Sequence, residues 1–294
     1  MSKPLLSIIV PTARFSRYFP KMLRYLRRVC KIGSEVEVVI ASTCDNPANR
    51  LYEYLCKADV NCKLIVLERL PGQDLRARHK NLGVRLASSK YIYVLDDDAF
   101  PTCKLINELL ELLRADEIDA VLHAYVPYPV SMWAKVRMIE KMLSSFNLER
   151  SSCRIIRRDL FIRLGGYRED FVLGEDIEFQ NRLLATNPKI SIIPLDKGFE
   201  IHLGEYKTLS DYIRRAFYYG KYIEKALHTL GVNRVLKAFS LRITNDIVAI
   251  YRLYVFPYII YKIVEALSST LSMLFTKVTK KGRKRLRFKD NYEQ

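Results

Sequence analysis

The 294-residue chain is 49% hydrophobic and 28% charged, a globular rather than a disordered composition, and long enough to bury a substantial core. Its formal charge of +17 draws in anions, so nucleic acid, an anionic membrane and phosphorylated small molecules are the partners to weigh. Six cysteines without a C-x-x-C pair argue against structural zinc, and the apolar run in MSKPLLSIIVP stops at a proline, short of a secretory h-region, so free thiols in a reducing cytoplasm are expected.

SIIVP (Ser7 to Pro11), VEVVIAS (Val36 to Ser42), KLIVLE (Lys63 to Glu68) and YIYVLD (Tyr91 to Asp96) are short, rich in β-branched residues and nearly continuous in hydrophobicity. That pattern belongs to strands buried on both faces, as in a parallel sheet. Between them, residues 18–30, 48–58 and 75–87 read as helices, the first with Met22, Leu23, Leu26 and Val29 at helical spacing. The alternation predicts right-handed crossovers and an α/β architecture, a Rossmann-like, mostly parallel central sheet flanked by helices. Ligands of such sheets bind outside the carboxyl ends of the strands, which singles out residues 11–14, 43–46 and 96–101.

Further along, strands are predicted at Ala120 to Val126, Cys153 to Arg157, Ile190 to Pro194 and Phe199 to His202. Helices are predicted near Ser131 to Phe146 and from Gly174 to Ala185, with a turn at Gly165-Gly166. From Thr208 to Thr276 the pattern is helical.

YIYVLDDDAFP sets Asp96, Asp97 and Asp98 where the burial of a strand ends. Adjacent like charges repel and desolvation adds to the cost, so the cluster asks for a shared cation. Oxygen ligation suits Mg2+ or Mn2+, which complete their shell with water and substrate phosphates. On an extended backbone Asp96 and Asp98 would face one way and Asp97 the other. The plainer alternative is that the triplet caps a helix starting near Thr102, although a cap needs one acid and this site has three.

The SIIVPT opening, the strand ending in D-x-D and the later GGY…GED…R block, taken together and in this order, resemble family 2 glycosyltransferases with the GT-A fold. The resemblance implies transfer of a sugar from a nucleoside-diphosphate sugar to an acceptor hydroxyl, metal-dependent and inverting. It implies nucleotide contacts at Pro11, Thr12 and Arg14, a base contact at Asp45, a ribose contact at Asp96, a supporting role for Asp97, and metal ligation by Asp98 with Mn2+ or Mg2+. Asp176, in the helix opened by GED, matches the family's general base beside the acceptor, and His202 matches a metal or diphosphate contact followed by Arg214 and Arg215. The segment GQDLRARHKNLG resembles the family's glycine-x-x-x-alanine-arginine-asparagine run, but His79 and Lys80 stand between Arg78 and Asn81, so two registers are possible; Arg76 and Arg78 are the diphosphate candidates, or an ordinary basic helix face. The implied organisation is a GT-A domain over residues 1–205, a helical region over 206–276 and a basic tail over 277–294.

Ile247 to Phe275 is apolar over a length that could span a bilayer, yet Arg252, Lys262 and Glu265 interrupt it and Pro257 would kink it. Burying those charges costs about 2.5 to 3.5 kcal/mol each at a helix centre, so helices lying in the interface fit better. The tail KVTKKGRKRLRFK would add about 1 kcal/mol per cation near anionic lipid. The expected location is therefore the cytoplasmic face of a membrane, possible for a lipid-linked acceptor. A nucleic-acid-binding protein would account for the tail but leaves the acid triplet unexplained. A sugar nucleotidyltransferase usually opens with a glycine-rich, lysine-bearing phosphate loop, which SIIVPTARF lacks; a catalytically silent scaffold is the third rival.

Overall fold

The computed structural model describes residues 3–12, 18–28, 30, 32–57, 61–68, 76–148, 151–204, 208–231 and 257–276. The chain divides into two units, one made of Met1–Tyr128 and Arg137–Glu205, the other of Pro129–Val136 and Tyr206–Gln294.

The first unit opens with β1 (Leu6–Thr12), α1 (Phe19–Arg28), β2 (Val36–Thr43), α2 (Asn49–Lys57), β3 (Cys62–Leu67), α3 (Arg76–Leu86) and β4 (Tyr91–Val94). It continues with β5 (Ala99–Pro101), α4 (Cys103–Arg114), β6 (Ala120–Pro127), α5 (Met132–Ser144, whose residues up to Val136 belong to the second unit), β7 (Ile155–Arg157), α6 (Arg158–Arg163), α7 (Glu175–Ala185), β8 (Ile190–Ile193) and β9 (Phe199–His202). The apolar runs place β1, β2 and β4 almost wholly out of solvent, with Leu6, Ile8, Val38, Ile40, Tyr91 and Tyr93 in one core and Ile9, Val39, Ile92 and Val94 in another. Burial on both faces is what a period-free apolar strand requires. α1 covers the first core with Phe19, Met22, Leu23 and Leu26.

β3, β2, β1 and β4 lie in that order and pair parallel. Beyond β4 the sheet becomes mixed: β7 runs antiparallel to β4, and β6 antiparallel to β7. The first half of β6 pairs parallel with β8 and the second half with β9, which carries β5 antiparallel on its far edge. Among the described residues five of the eight pairings are parallel, as the sequence predicts.

The cysteines depart from the free-thiol expectation. Cys30–Cys103 joins the end of α1 to the start of α4, and Cys56–Cys62 joins α2 to β3; Cys44 (exposed) and Cys153 (buried) stay free. Spacing alone could not show this for Cys30 and Cys103, because the close approach of their Cα atoms (4.7 Å) is made by the fold across a sequence separation of 73.

In the second unit α8 (Leu209–Gly220) starts at a capping box in which Thr208 and Asp211 bond each other's backbone N–H, and α9 (Ile223–Leu230) follows. α10 (Pro257–Thr276) follows; the residues before Pro257 lie outside the described ones, and with them the expected kink. One face of α10 meets α8: Ser269 donates to the Ala216 carbonyl at 3.2 Å, Ser272 donates to the Phe217 carbonyl, and Gly220 sits so close that an added Cβ would lie 2.5 Å from the Ser269 carbonyl. Lys262 is buried and paired with Glu265 at 3.0 Å. On the other side Ile263, Leu267, Leu271, Leu274 and Phe275 stand exposed at helical spacing. Among the described residues α10 is the helix long and apolar enough to cross a membrane, with a mean hydropathy of 1.3. Arg252 lies outside the described residues.

Candidate functional site

The chain leaves β4 at Val94 and turns, with the Ala99 N–H donating to the Asp96 carbonyl at 3.1 Å. The predicted extension of the strand to Asp96, with strict alternation through Asp98, is replaced by this turn. Three neighbouring carboxylates relieve their repulsion by reaching three different surroundings.

Asp96 lies 3.0 Å from Arg154. Burial opposes its charge, but Arg154 and Lys80 outweigh burial and hold the carboxyl down at about 2. Burial pushes Asp97 up to about 7; a hydrogen bond from Thr12 works against this, and the charges of Asp98 and Asp96 add to it. Asp98 Oδ1 faces His202 Nδ1 at 3.7 Å. Room for the Asp98 carboxylate depends on Gly204, where an added Cβ would collide with it. The helix-cap alternative fails here, since α4 is capped by Thr102, whose hydroxyl accepts from the Leu105 N–H at 3.3 Å, and its first turn holds no acid.

β5 and β9 bring Asp98 and His202 together. Ala99 is paired with His202, and the Leu203 N–H donates to the Asp98 carbonyl at 3.0 Å. Two residues before His202, on the same side of the strand, Glu200 is fully buried. Its Oε1 accepts from Arg154 at 2.8 Å and meets His202 Nε2, while Oε2 accepts from the Tyr93 hydroxyl at 2.6 Å and meets His123 Nε2 at 3.2 Å. Burial alone would raise this carboxyl; Arg154 and the two imidazoles hold it well below the usual glutamate range.

A second acidic group opens α7, whose N-cap Gly174 is left-handed (φ 82°). Glu175 is buried and paired with the Lys80 ammonium at 3.0 Å. Asp176 is half-buried, 3.4 Å from the Ser152 hydroxyl, and its Oδ1 accepts from the Ile177 N–H at 2.9 Å. Burial works against the Lys80 charge, yet the carboxylates of Glu175, Asp96 and Asp176 raise its pKa above the usual lysine value. Lys80 therefore lies within electrostatic reach of both acidic groups.

Of the nucleotide contacts expected at the strand ends, Pro11 and Thr12 close β1, Thr12 fully buried, and Asp45 sits exposed in the turn after β2. Arg14 lies outside the described residues. Arg76 and Arg78 are half-buried on α3, and Arg76 donates to the Val172 carbonyl at 2.9 Å, ahead of α7. Arg214 and Arg215 belong to the second unit, where Arg214 pairs with Asp211 at 2.7 Å and Arg215 lies over the Tyr219 ring.

Sequence reasoning missed Lys80, Arg154 and Glu200. Lys80 belongs to the ambiguous HKN run, and it is Asn81 beside it that clasps the GGY turn, donating to the Tyr167 carbonyl at 2.8 Å and accepting from the Tyr167 N–H at 2.8 Å. Glu200 carried one legible signal, the i, i+2 spacing with His202 on a strand.

The description Glycosyl transferase family 2 fits residues 7–171, more than half of the chain, and Glycosyltransferase like family 2 fits residues 130–254. The chain belongs to glycosyl transferase family 2 and is a glycosyltransferase enzyme. A search of curated proteins finds no match. Among solved structures it resembles residues 1–349 of TarS from S. aureus in complex with UDP-GlcNAc (15% identity, 95% of this chain and 92% of that one, TM-score 0.55). It spans about half of a longer TarS structure, 49% of that chain at 17% identity and TM-score 0.57, covering 87% of its own length. It also resembles the mannosyltransferase PcManGT from Pyrobaculum calidifontis in complex with GDP-Man and Mn2+ (16% identity, 91% and 87% covered, TM-score 0.60). These likenesses carry the GT-A fold.

Proposed function

We propose that this enzyme moves a sugar from a nucleoside-diphosphate sugar to an acceptor hydroxyl with inversion, using a divalent metal at Asp98 and His202 and Asp176 as general base. The observation that carries the reading is Lys80, which ties the Asp96 side of the site to the Glu175-Asp176 side. The Asp98 carboxylate is the oxygen donor that suits Mn2+ or Mg2+, and the His202 imidazole beside it is a nitrogen donor that Mn2+ accepts more readily than Mg2+. Among the described residues no three His, Cys, Asp or Glu side chains converge on one point, so the donor's phosphates and water would have to complete the shell. Held by Asp98 and His202, such an ion would supply positive charge to the departing diphosphate.

The protein's own groups do the rest. Asp96, held ionised by Arg154, accepts from the ribose, and Pro11, Thr12, Arg14 and Asp45 surround the nucleotide, with Asp97 in support. Arg76 and Arg78 supply positive charge toward the diphosphate. Asp176 takes the proton of the acceptor hydroxyl as its oxygen bonds the anomeric carbon; the carbon–diphosphate bond breaks on the opposite face. The bound nucleotide sugars and Mn2+ of the similar structures favour this donor class.

A panel of nucleotide sugars with Mn2+ tests the reading, scored by nucleoside diphosphate release from wild type and Asp98→Ala. Turnover of at least one donor by wild type, with a loss on the order of 100-fold in the variant, is expected. Equal turnover by both proteins, or no donor bound by wild type, overturns it.

The acceptor is lipid-linked on this reading, and the enzyme sits at the cytoplasmic face of a membrane. Support comes from the exposed apolar stripe of α10, followed in sequence by the tail of Lys277 to Lys289. Vesicles with and without anionic phospholipid check this. Sedimentation with anionic vesicles only, weakened by salt and by deleting residues 277–294, is expected; equal binding to neutral vesicles, or none to either, counts against it.

A further inference from the structure

We infer that Glu200 is the positioning residue of the metal site: it fixes the tautomer of His202 so that the ring presents a lone pair, not a proton, toward Asp98. The inference rests on the reading of Asp98 and His202 as a metal-binding pair.

A carboxylate accepts hydrogen bonds and donates none. Glu200 is fully buried and surrounded by donors, with Arg154 Nη1 at 2.8 Å on Oε1 and the Tyr93 hydroxyl at 2.6 Å on Oε2. The contact between Glu200 Oε1 and His202 Nε2 therefore requires the proton on Nε2. A neutral ring then has its lone pair on Nδ1. That nitrogen points at Asp98 Oδ1, 3.7 Å away.

Two electron-pair donors facing one another repel unless a positive charge lies between them. The backbone does not allow them to drift apart, because Ala99 is in register with His202 and the Leu203 N–H is bonded to the Asp98 carbonyl. Tyr125 packs edge-on against the His202 ring, with centroids 3.9 Å apart, which limits its rotation. Glu200 thus stands behind the imidazole as an outer-sphere carboxylate stands behind a metal-bound histidine, an arrangement whose loss costs about 10–100-fold in metal affinity. His123 meets the other oxygen of Glu200, so the carboxylate is held from both sides and cannot turn away from His202.

The test is Mn2+ binding followed by electron paramagnetic resonance, with and without UDP or GDP, for wild type, Glu200→Gln and Tyr93→Phe. In Glu200→Gln the amide can donate to Nε2 and reverse the tautomer, and Mn2+ affinity is expected to fall about 10–100-fold. Tyr93→Phe removes a different hydrogen bond from the same carboxylate, and its Mn2+ affinity is expected to stay within about 2-fold of wild type while its melting temperature falls. If Glu200→Gln does not fold, the ring-nitrogen NMR shifts of the four histidines in wild type at pH 8 decide the matter, with His202 identified from the spectrum of His202→Gln. A proton on Nε2 alone supports the inference; a proton on Nδ1, or on both nitrogens, overturns it. Absence of Mn2+ binding by wild type sinks the metal reading itself, whereas wild-type binding retained at full strength by Glu200→Gln sinks only the role of Glu200.

Discussion

With Asp176 as the proposed general base, Asp176→Asn is expected to lower kcat by about 10²–10⁴-fold and to leave donor affinity unchanged. The substitution is nearly isosteric, and the Oδ1 that accepts from the Ile177 N–H remains an acceptor in the amide. The N-terminal turn of α7 keeps its geometry, as does the neighbouring pair of Glu175 with Lys80. What disappears is a group able to take the acceptor's proton. Asp176 is half-buried beside the Ser152 hydroxyl, reachable by an acceptor yet partly shielded from water. Single-turnover measurement of sugar transfer, alongside donor binding by calorimetry, separates chemistry from affinity. A rate within tenfold of wild type would remove Asp176 from the role of base.

Loss of the Cys30–Cys103 bond costs about 4 kcal/mol of stability, and loss of Cys56–Cys62 about 2, on the chain-entropy account. The difference follows from sequence separations of 73 and 6: the longer loop restrains far more of the unfolded chain. For a unit of this size 4 kcal/mol lowers the melting temperature by roughly 8–16 °C. Thiol titration and thermal unfolding check both parts. In denaturant without reductant two thiols should react, Cys44 and Cys153, and six after reduction. In the native protein Cys44 alone should react, because burial pushes the Cys153 thiol up to about 12. Six reactive thiols before reduction would mean that the pairs do not form; an unchanged melting temperature after reduction would contradict the entropic estimate.

The parallel half of the sheet was legible because β1, β2 and β4 are buried on both faces and therefore carry apolar residues without a break. The acid triplet was legible for the opposite reason, three charges where such a run stops. Less was visible of what surrounds it. Arg154 stands just before β7, a strand of three residues that inserts antiparallel between β4 and β6, and no local periodicity announces which strand it will border. Glu200 read as an ordinary charge at the edge of a short strand, because its burial depends on Tyr93, His123 and Arg154, contributed by other parts of the chain. In the HKN run likewise, no local signal marks Asn81 as the residue that meets the turn at Tyr167. The Cys30–Cys103 bond escaped for a related reason: only the fold brings the end of α1 to the start of α4.

Asp98 and His202 are held together by the pairing of β5 with β9, a ladder of only three residue pairs joining segments about a hundred positions apart. Contacts at such separations cost loop-closure entropy before they return anything, and they form late as a chain folds. A nascent or partly folded chain, even with β1 to β4 already assembled, has one half of the pair without the other. On the proposed reading of the pair as metal ligands, metal capture would report completion of the unit, and an immature enzyme would have no complete site at which to spend its donor.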